Sequence, residues 1–528
     1  MVTLTKCAAR ALDFDARLVP SRILDPVTRS LDAALRQTAT HALGQALTDD
    51  EWCQLQLPGP LGGCGLRLPS TIMAAAYWAS WATHEQAARG LSEVLGRDAN
   101  HSIADAEAGT VTGALLDQGI VVVRGARPVR TDEAEQRYQD GPWHADRQPN
   151  PRPGSATRYM GLVMQLIEGD MATCLWTRKP KSARTKLLSA GGAKTGTTWT
   201  AAPDAAIREL PDAHWRCITR DRVGMLRAQR GARCGLPRSQ RKQGVCGKPL
   251  DPFLHHVWHC RTAVARLRIH NGIGYALAKE LRAARGNVDI ERAMPDLAVR
   301  RPDGALEEGI MDLTCWFPGG MDWNGIDVTV RYPGATRYYG SADHAGKAAN
   351  KAEAEKARRY GESVIPMAFE TGGRLGTKSS DGLKKLAMQA AESHGGLLSA
   401  AGLENRWRRS LEAALFFGVA DALLMAVGGS QASELAKERP APAPAAAART
   451  APAQSHRCTQ AQAPVQDECP SCELEQEIEG IWMDDLGHQM PDQCMDLGAD
   501  EEAAIFLHGS QTEQATTFPG QVVPGDRS

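Results

Sequence analysis

Apolar residues recur at helical spacing through most of the first 125 residues. The segments LDPVTRSLDAALRQTATHALGQAL and TIMAAAYWASWATHEQAARGLSEVLG each predict a long helix, and the Gly and Pro residues of the intervening LPGPLGGCGLRLPS predict a forced turn. We therefore expect a helical region over residues 1–125. A basic linker over residues 126–230 follows, with a further helix at TRYMGLVMQLIEGDMATCLW.

The periodicity changes after residue 261. RTAVARLRIHNGIGYALAKELRAAR predicts a helix, and the short runs AMPDLAVRR, GIMDLTCWF and GIDVTVRY predict strands, the first two joined by a PDG turn. HAGKAANKAEAEKARRYG predicts an exposed helix closed by Gly361, SVIPMAFE another strand, and the residues up to about 429 two more helices. The pattern predicts a multidomain α+β protein with a small mixed sheet over residues 271–429.

The chain beyond residue 430 has a different composition. KERPAPAPAAAARTAPAQ predicts a Pro/Ala linker, and the acidic remainder to residue 528 predicts a disordered tail. No apolar run approaches the roughly 18 residues of a membrane span, and the first residues lack the features of a signal peptide. We expect a protein of the nucleus, or of the cytoplasm before import, that makes no membrane contact.

The net charge of −1 conceals a strong asymmetry. Residues 178–270 contain 20 Lys or Arg against 5 Asp or Glu, whereas residues 458–526 contain 15 Asp or Glu and no Lys or Arg. Both segments could be solvated surface. A basic segment of this length favours a nucleic-acid partner, and the acidic tail would then be a solvated arm or an intramolecular competitor.

The first candidate site lies inside the basic segment and is a group of metal-ligating residue types. Cys234, Cys246, His255 and Cys260 could supply the four sulfur and nitrogen ligands of a tetrahedral zinc ion. His256 and His259 are rival ligands that sequence alone does not separate from His255. The alternative interpretation is ordinary buried thiols beside surface histidines. The spacing Cys234-x11-Cys246 is wide, so the loop between the two cysteines must bulge outward.

A second, weaker metal candidate lies in the acidic tail. Cys469-x2-Cys472 has the spacing of a zinc-binding pair, with His488 and Cys494 further along the chain. The wide gap and the acidic surroundings argue against a true site.

The second main candidate site lies on the predicted strands. Cleavage of a phosphodiester with Mg²⁺ requires carboxylates that converge on the ion, and adjacent strands can place them side by side. Asp296, which follows Pro295, and Asp312 on the next strand fit the nuclease pattern PD-(D/E)xK. The position where that pattern has its lysine is occupied by Thr314, so we expect the lysine to come from the following helix, as Lys356 or Lys351. Those lysines could equally be a solvated helix face.

The order of these motifs resembles that of one known protein family. It is similar to the C-terminal region of polyproteins of site-specific, early-branching non-LTR retrotransposons. The matching pieces are Cys234, Cys246, His255 and Cys260, RLRIHN, Pro295-Asp296, Asp312-Leu-Thr, Lys356-x3-Tyr360 and IPMAFETGG with Glu370. LPGPLGGCGLRLPSTIMAAAYWASW resembles the segment that follows the polymerase core in that family.

The resemblance implies a specific organisation and activity. Residues 1–125 would be a thumb-like helical region, residues 231–270 a zinc knuckle with structural Zn²⁺, and residues 271–429 a restriction-enzyme-like endonuclease. Such an enzyme would nick one DNA strand with Mg²⁺ held by Asp296 and Asp312, helped by Lys356 or Lys351. Its partners would be DNA and possibly the RNA of the element. Replacing Asp296 by Ala is then expected to abolish nicking.

Two features depart from the family. Its first two cysteines are usually closer together, and this chain has no polymerase core; the string Trp482-Met483-Asp484-Asp485 lies in the acidic tail without flanking strands. Two alternatives to an active nuclease therefore stay open. The chain could be a catalytically inactive nucleic-acid-binding remnant, or part of a reverse transcriptase whose core is encoded upstream.

Overall fold

A computed structural model describes residues 15–428 together with residues 8, 11 and 12. Residues not described within that span are 95–100, 124–127, 140–141, 143–155, 193, 197–198, 200–209, 239–243, 261–263, 301–305, 321–322, 336 and 339–343. The predicted linker and acidic tail, with Cys469-x2-Cys472, lie outside the described residues. The described residues fall into one unit, Met1–Ala443, whose mixture of helices and sheet confirms the α+β class.

The N-terminal half is predominantly helical. Its helices are α1 (Asp15–Leu18), α2 (Ser21–Leu43), α3 (Asp49–Gln56), α4 (Pro69–Val94), α5 (His101–Asp117), α6 (Asp132–Gln139), α7 (Ala156–Arg178), α8 (Lys181–Ala190) and α9 (Asp212–Val223). A two-stranded antiparallel sheet of β1 (Ile120–Val121) and β2 (Val129–Arg130), which the sequence pattern does not predict, lies among these helices.

Helix α2 shows how sequence dictates these elements. Leu24, Leu35, Ala39 and Leu43 are buried, and their spacing places them on one face of the helix. The helix ends at Gly44, whose φ of 68° lies in the left-handed region that favours glycine. Helix α3 then begins with Thr48 and Glu51, whose side chains each accept a hydrogen bond from the other residue's backbone N–H.

The second half contains a four-stranded sheet. The elements are α10 (His255–His259), α11 (Val264–Ala283), β3 (Asn287–Arg300), β4 (Leu306–Trp316), β5 (Asn324–Arg331), α12 (Lys347–Tyr360), β6 (Val364–Glu370), α13 (Thr377–Ser393) and α14 (Ala400–Val427). The strand order is β3-β4-β5-β6, with antiparallel pairing except between β5 and β6, which are parallel and connected through α12.

Helices cover both faces of this sheet. Leu313, Ile326 and Met367 belong to the main apolar core, together with residues of α11, α13 and α14. On β6 the alternation of side chains turns Ala368 away from Met367, and Ala368 packs with Ala349 and Ala352 of α12. Helix α12 is therefore half-buried, rather than exposed as its Lys-rich sequence predicted.

The apolar core continues across the regions that the sequence pattern separates. One cluster of buried side chains contains Leu35 of α2, Trp199, Cys234 and Leu415 of α14. Among the described residues, α14 is the one helix long and apolar enough by composition to cross a membrane, but 67% of its most apolar window is buried inside the protein. That burial is typical of a core helix.

Candidate functional site

The cysteine-rich segment is folded as a small hairpin. The Cys234 N–H donates to Lys248 O at 2.8 Å, the Gly247 N–H donates to Cys234 O at 2.9 Å, and the Cys246 N–H donates to Leu236 O at 2.9 Å. These bonds bring Cys234 and Cys246 together although eleven residues separate them in the sequence. The wide spacing is thus accommodated by a hairpin, of which residues 239–243 lie outside the described part.

The hairpin and α10 bring four ligand atoms together. One such atom each from Cys234, Cys246, His256 and Cys260 lies within 4.8 Å of all the others. The Cys246 Sγ–His256 Nε2 distance is 3.4 Å and the Cys234 Sγ–Cys260 Sγ distance is 4.0 Å. Tetrahedral zinc with Zn–S bonds of about 2.3 Å needs sulfur atoms roughly 3.8 Å apart. The donor set and its spacing fit a metal such as zinc.

The histidine of this group is His256, not the predicted His255. Asp251 accepts hydrogen bonds from the backbone N–H groups of both residues, at 3.0 Å for His255 and 2.8 Å for His256, which fixes the start of α10. Successive residues of a helix point in different directions, so only one imidazole can face the cysteines. His255 instead forms a hydrogen bond through Nδ1 with the Tyr332 hydroxyl.

The electrostatics of the cluster also suit a metal. Burial raises the pKa of the Cys234 thiol to about 12, and the neighbouring thiols of Cys260 and Cys246 add to that rise. A cation would relieve this cost, because it binds the thiolate. Burial, followed by the charge of Lys248, lowers the pKa of His256 and favours the neutral imidazole that a metal requires.

A second polar group lies on the sheet where β4 and β5 diverge. The two strands pair at Leu313–Ile326, and the adjacent residues are Asp312 and Asp327. Asp312 Oδ2 accepts a hydrogen bond of 2.6 Å from the Val328 N–H, so its carboxylate reaches the backbone beside Asp327. Asp327 is buried and accepts a hydrogen bond of 2.7 Å from Lys356 Nζ. Burial raises the pKa of Asp327, and the charge of Asp312 raises it further.

His270 on α11 completes this group. Its Nε2 lies 3.1 Å from Asp312 Oδ2 and its Nδ1 lies 3.1 Å from Asn271 Oδ1. Burial alone lowers the pKa of His270, but the hydrogen bond and charge of Asp312, with smaller contributions from Asn271 and Asp327, raise it to about 9. We call Asp312, Asp327, Lys356 and His270 the carboxylate site.

The lysine of the carboxylate site lies on helix α12. Glu370, at the end of β6, accepts hydrogen bonds from the backbone N–H groups of Ala348 and Ala349 at 3.1 and 3.4 Å, which anchors the first turn of α12 to the sheet. Lys356 therefore projects toward Asp327. The other predicted lysine, Lys351, points elsewhere, with its Nζ 5.6 Å from the centre of the Tyr338 ring.

Asp296 does not lie beside Asp312. Met294 pairs with Gly309, and the register of β3 and β4 shifts between Met294 and Val299. Asp296 lies in that irregular stretch with an exposed side chain. At about 3.3 Å per residue it is roughly 15 Å along the strands from Asp312. The predicted pairing of Asp296 with Asp312 thus differs from the arrangement observed, in which Asp312 lies beside Asp327.

Sequence reasoning missed Asp327 and left His270 unassigned. A carboxylate in the otherwise uncharged run GIDVTV was the available indication, because a buried strand rarely contains an unpaired charge. Comparison of the sequence with models of protein families and with curated proteins finds no match.

Proposed function

We propose that the chain is a metal-dependent DNA endonuclease whose active site is the carboxylate site. The observation that carries the proposal is the placement of Asp312 and Asp327 on adjacent strands, with Lys356 bound to Asp327 at 2.7 Å. A buried carboxylate that needs a lysine partner is costly for folding, and such costs are typical of functional sites.

The chemistry of these residues fits phosphodiester cleavage. Paired carboxylates are ligands that Mg²⁺ takes in proteins, and Asp312 and Asp327 would hold it. When bound, Mg²⁺ supplies Lewis acidity toward a phosphate and makes water a stronger nucleophile. Lys356 supplies a positive charge beside Asp327, where it can orient water or stabilise the added negative charge of the transition state. His270 holds Asp312 in place from α11.

In this proposal Asp312 takes the role of the first acid of the PD-(D/E)xK pattern and Asp327 that of the second, so Asp296 has no role in the site. The residue two positions after Asp327 is Thr329, so a lysine is missing there as it is at Thr314. Lys356 supplies the missing charge from a helix. A lysine that reaches the acids from another element preserves the chemistry while obscuring the motif in the sequence.

The resemblance to non-LTR retrotransposon polyproteins supports the same proposal. The matching motifs include residues in contact with the carboxylate site. His270 of RLRIHN contacts Asp312, Lys356 of the Lys-x3-Tyr pair contacts Asp327, and Glu370 accepts hydrogen bonds from the first turn of α12. We infer that residues 271–429 are a restriction-enzyme-like nuclease domain, residues 231–270 a zinc knuckle, and residues 1–125 a thumb-like region. The basic segment 178–270 would bind the phosphates of DNA, possibly also element RNA, in the nucleus.

The experiment that tests the proposal is conversion of supercoiled plasmid to the nicked form by the full chain. We expect nicking with Mg²⁺, none with a chelator, and none from Asp312→Asn, which keeps the shape of the side chain but removes a metal ligand. DNA affinity of Asp312→Asn should be preserved. Intact, salt-sensitive DNA binding without any nicking by the unmodified chain would instead favour the inactive binding remnant.

A further inference from the structure

A cavity lined by basic residues lies where α3, α8 and the end of α9 meet the segment that leads into α10. It contains about 300 Å³ of empty space, part of it open to solvent, which is at the lower end of the size range of ligand pockets. Among the described residues that line it, none is Asp or Glu and four are Lys or Arg, namely Lys179, Lys186, Arg222 and Arg227. None of the described residues of the metal cluster or the carboxylate site lines this space, which we call the basic cavity.

Two of these four cations are held by groups of the protein itself. Lys186 Nζ lies 2.6 Å from Asp221 Oδ1, and Arg222 donates hydrogen bonds to buried backbone carbonyl groups. Arg227 lies at the exposed edge of the basic cavity, with its guanidinium 4.8 Å from the centre of the Phe253 ring. The charge deeper inside the cavity therefore depends on the remaining lysine.

Lys179 is that buried lysine. It is 9% exposed, although lysine is rarely buried without a partner. Its Nζ has no hydrogen-bond or ion-pair partner among the residues that the structure describes. The two acids whose charges act on it are engaged elsewhere, since Asp50 pairs with Arg178 at 3.0 Å and Glu51 caps the first turn of α3. Lys179 thus brings an uncompensated positive charge to the basic cavity.

The electrostatics of Lys179 also favour an anionic ligand. Burial lowers the pKa of Lys179, outweighing the charges of Asp50 and Glu51, and the charge of Arg227 lowers it further. That repulsion shows that the two cations lie near each other. An anion between them would offset both the cost of burying Lys179 and the repulsion from Arg227.

The start of α8 faces the same space. Ser182 and Ala183 of its first turn line the basic cavity, and no described side chain caps this helix. The N–H groups and the dipole at the start of a helix attract anions. The end of α9, whose dipole has the opposite sign, also borders the cavity, but there Arg222 O already accepts a hydrogen bond of 2.7 Å from Gln54 Nε2.

We propose that the basic cavity binds the phosphate group at the end of a nucleic-acid strand. This inference rests on the nucleic-acid partner of the proposed function and gives that partner a contact away from the carboxylate site. A terminal phosphate monoester carries about 1.5–2 negative charges at pH 7, more than an internal diester. Because Lys179 is buried, a phosphate must enter the cavity to reach it, which the end of a strand can do and the middle of a duplex cannot.

The test measures affinities of the full chain by fluorescence anisotropy without Mg²⁺. The probe is an internally labelled oligothymidine strand whose ends carry either phosphates or hydroxyls. The unmodified chain should bind the phosphorylated strand at least about tenfold more tightly, as one charge-assisted hydrogen bond can supply. In Lys179→Met the difference should fall below about twofold. The matched control is Lys384→Met, which removes the same charge from an exposed position on α13 outside the basic cavity and should keep the difference.

A second variant and a second measurement separate loss of binding from loss of folding. Ser182→Asp adds a negative charge to the first turn of α8, which suits a helix start but repels a phosphate, so it should fold and lose the preference. Inorganic phosphate, at constant ionic strength, should raise the Tm of the unmodified chain but not that of Lys179→Met.

Equal affinities of the unmodified chain for the two strands would overturn the inference, and so would a preference that survives both Lys179→Met and Ser182→Asp. If the strands bind equally while inorganic phosphate still raises the Tm through Lys179, the ligand is a free phosphate compound and the assignment to a strand end is wrong. If the unmodified chain fails to nick plasmid but shows the Lys179-dependent preference, the basic cavity stands and the proposed nuclease activity falls.

Discussion

A buried arginine connects the helical half of the protein to the sheet, and its removal should be costly. The Arg222 side chain is 6% exposed and donates hydrogen bonds to Ala190 O at 2.6 Å and Gly63 O at 2.9 Å. Longer bonds reach Gly59 O at 3.3 Å and Gly372 O at 3.4 Å. These four carbonyl groups belong to the early Gly/Pro loop, the end of α8 and the turn after β6.

The expected effect of Arg222→Leu follows from those bonds. Loss of the two shorter bonds leaves two buried carbonyl groups without a hydrogen-bond donor, which costs about 1–3 kcal/mol each. Leucine also removes the desolvation cost of a buried guanidinium, which offsets part of the loss. We expect a net destabilisation of about 3 kcal/mol. With an unfolding entropy of about 2.1 cal/mol/K per residue over roughly 400 folded residues, that corresponds to a fall in Tm of roughly 3–4 °C.

Thermal unfolding followed by circular dichroism measures the effect. The control is Arg178→Leu, which removes an exposed ion pair of 3.0 Å with Asp50 and should cost less than about 1 kcal/mol. If the two variants melted at the same temperature, the assignment of Arg222 as a structural connection would be refuted.

Three further predictions concern the candidate sites. The purified chain should contain about one zinc ion by elemental analysis. The His256→Ala variant should lose this zinc and the His255→Ala variant should keep it; the opposite result would restore His255 as the predicted ligand. Without Mg²⁺, folding raises the pKa of His270 from 6.5 to about 9. The protonated imidazole therefore stabilises the fold fully below pH 6.5, and this stabilisation is lost as the pH rises through 9. The urea concentration at the unfolding midpoint should fall over this pH range in the unmodified chain but not in His270→Gln. Lys356→Met should lose nicking while Lys351→Met retains it, and equal activity of the two would remove the lysine from the mechanism.

The fold was predicted from sequence to a large extent where periodicity was strong. All four strands of the main sheet, the helix closed by Gly361 and the two final helices were anticipated. The short β1–β2 sheet was not, because two-residue strands leave no alternating pattern. Trp199 of the basic segment is fully buried, 4.6 Å from Trp215 between ring centres, and therefore packs in the core.

The candidate sites were harder to predict because they depend on the register of paired strands and on the direction in which side chains leave a helix. Sequence analysis identified the cysteines of the metal cluster, yet adjacent histidines at the start of a short helix differ only in direction. Likewise Pro295-Asp296 matches a motif, but Arg292 pairs with Met311 and Met294 with Gly309, so the register of β3 and β4 places Asp296 about five residues from the position opposite Asp312. The register is set by the pairing of two strands in three dimensions and leaves no local pattern.

The most direct test of the central claim compares two isosteric substitutions, Asp327→Asn and Asp296→Asn, in the plasmid-nicking assay with Mg²⁺. Asp327 is 4% exposed beside Lys356, whereas Asp296 is exposed on the irregular part of β3. We expect Asp327→Asn to abolish nicking and Asp296→Asn to cleave like the unmodified chain, with both variants binding DNA normally. Loss of nicking in Asp296→Asn together with full activity in Asp327→Asn would contradict the proposed active site.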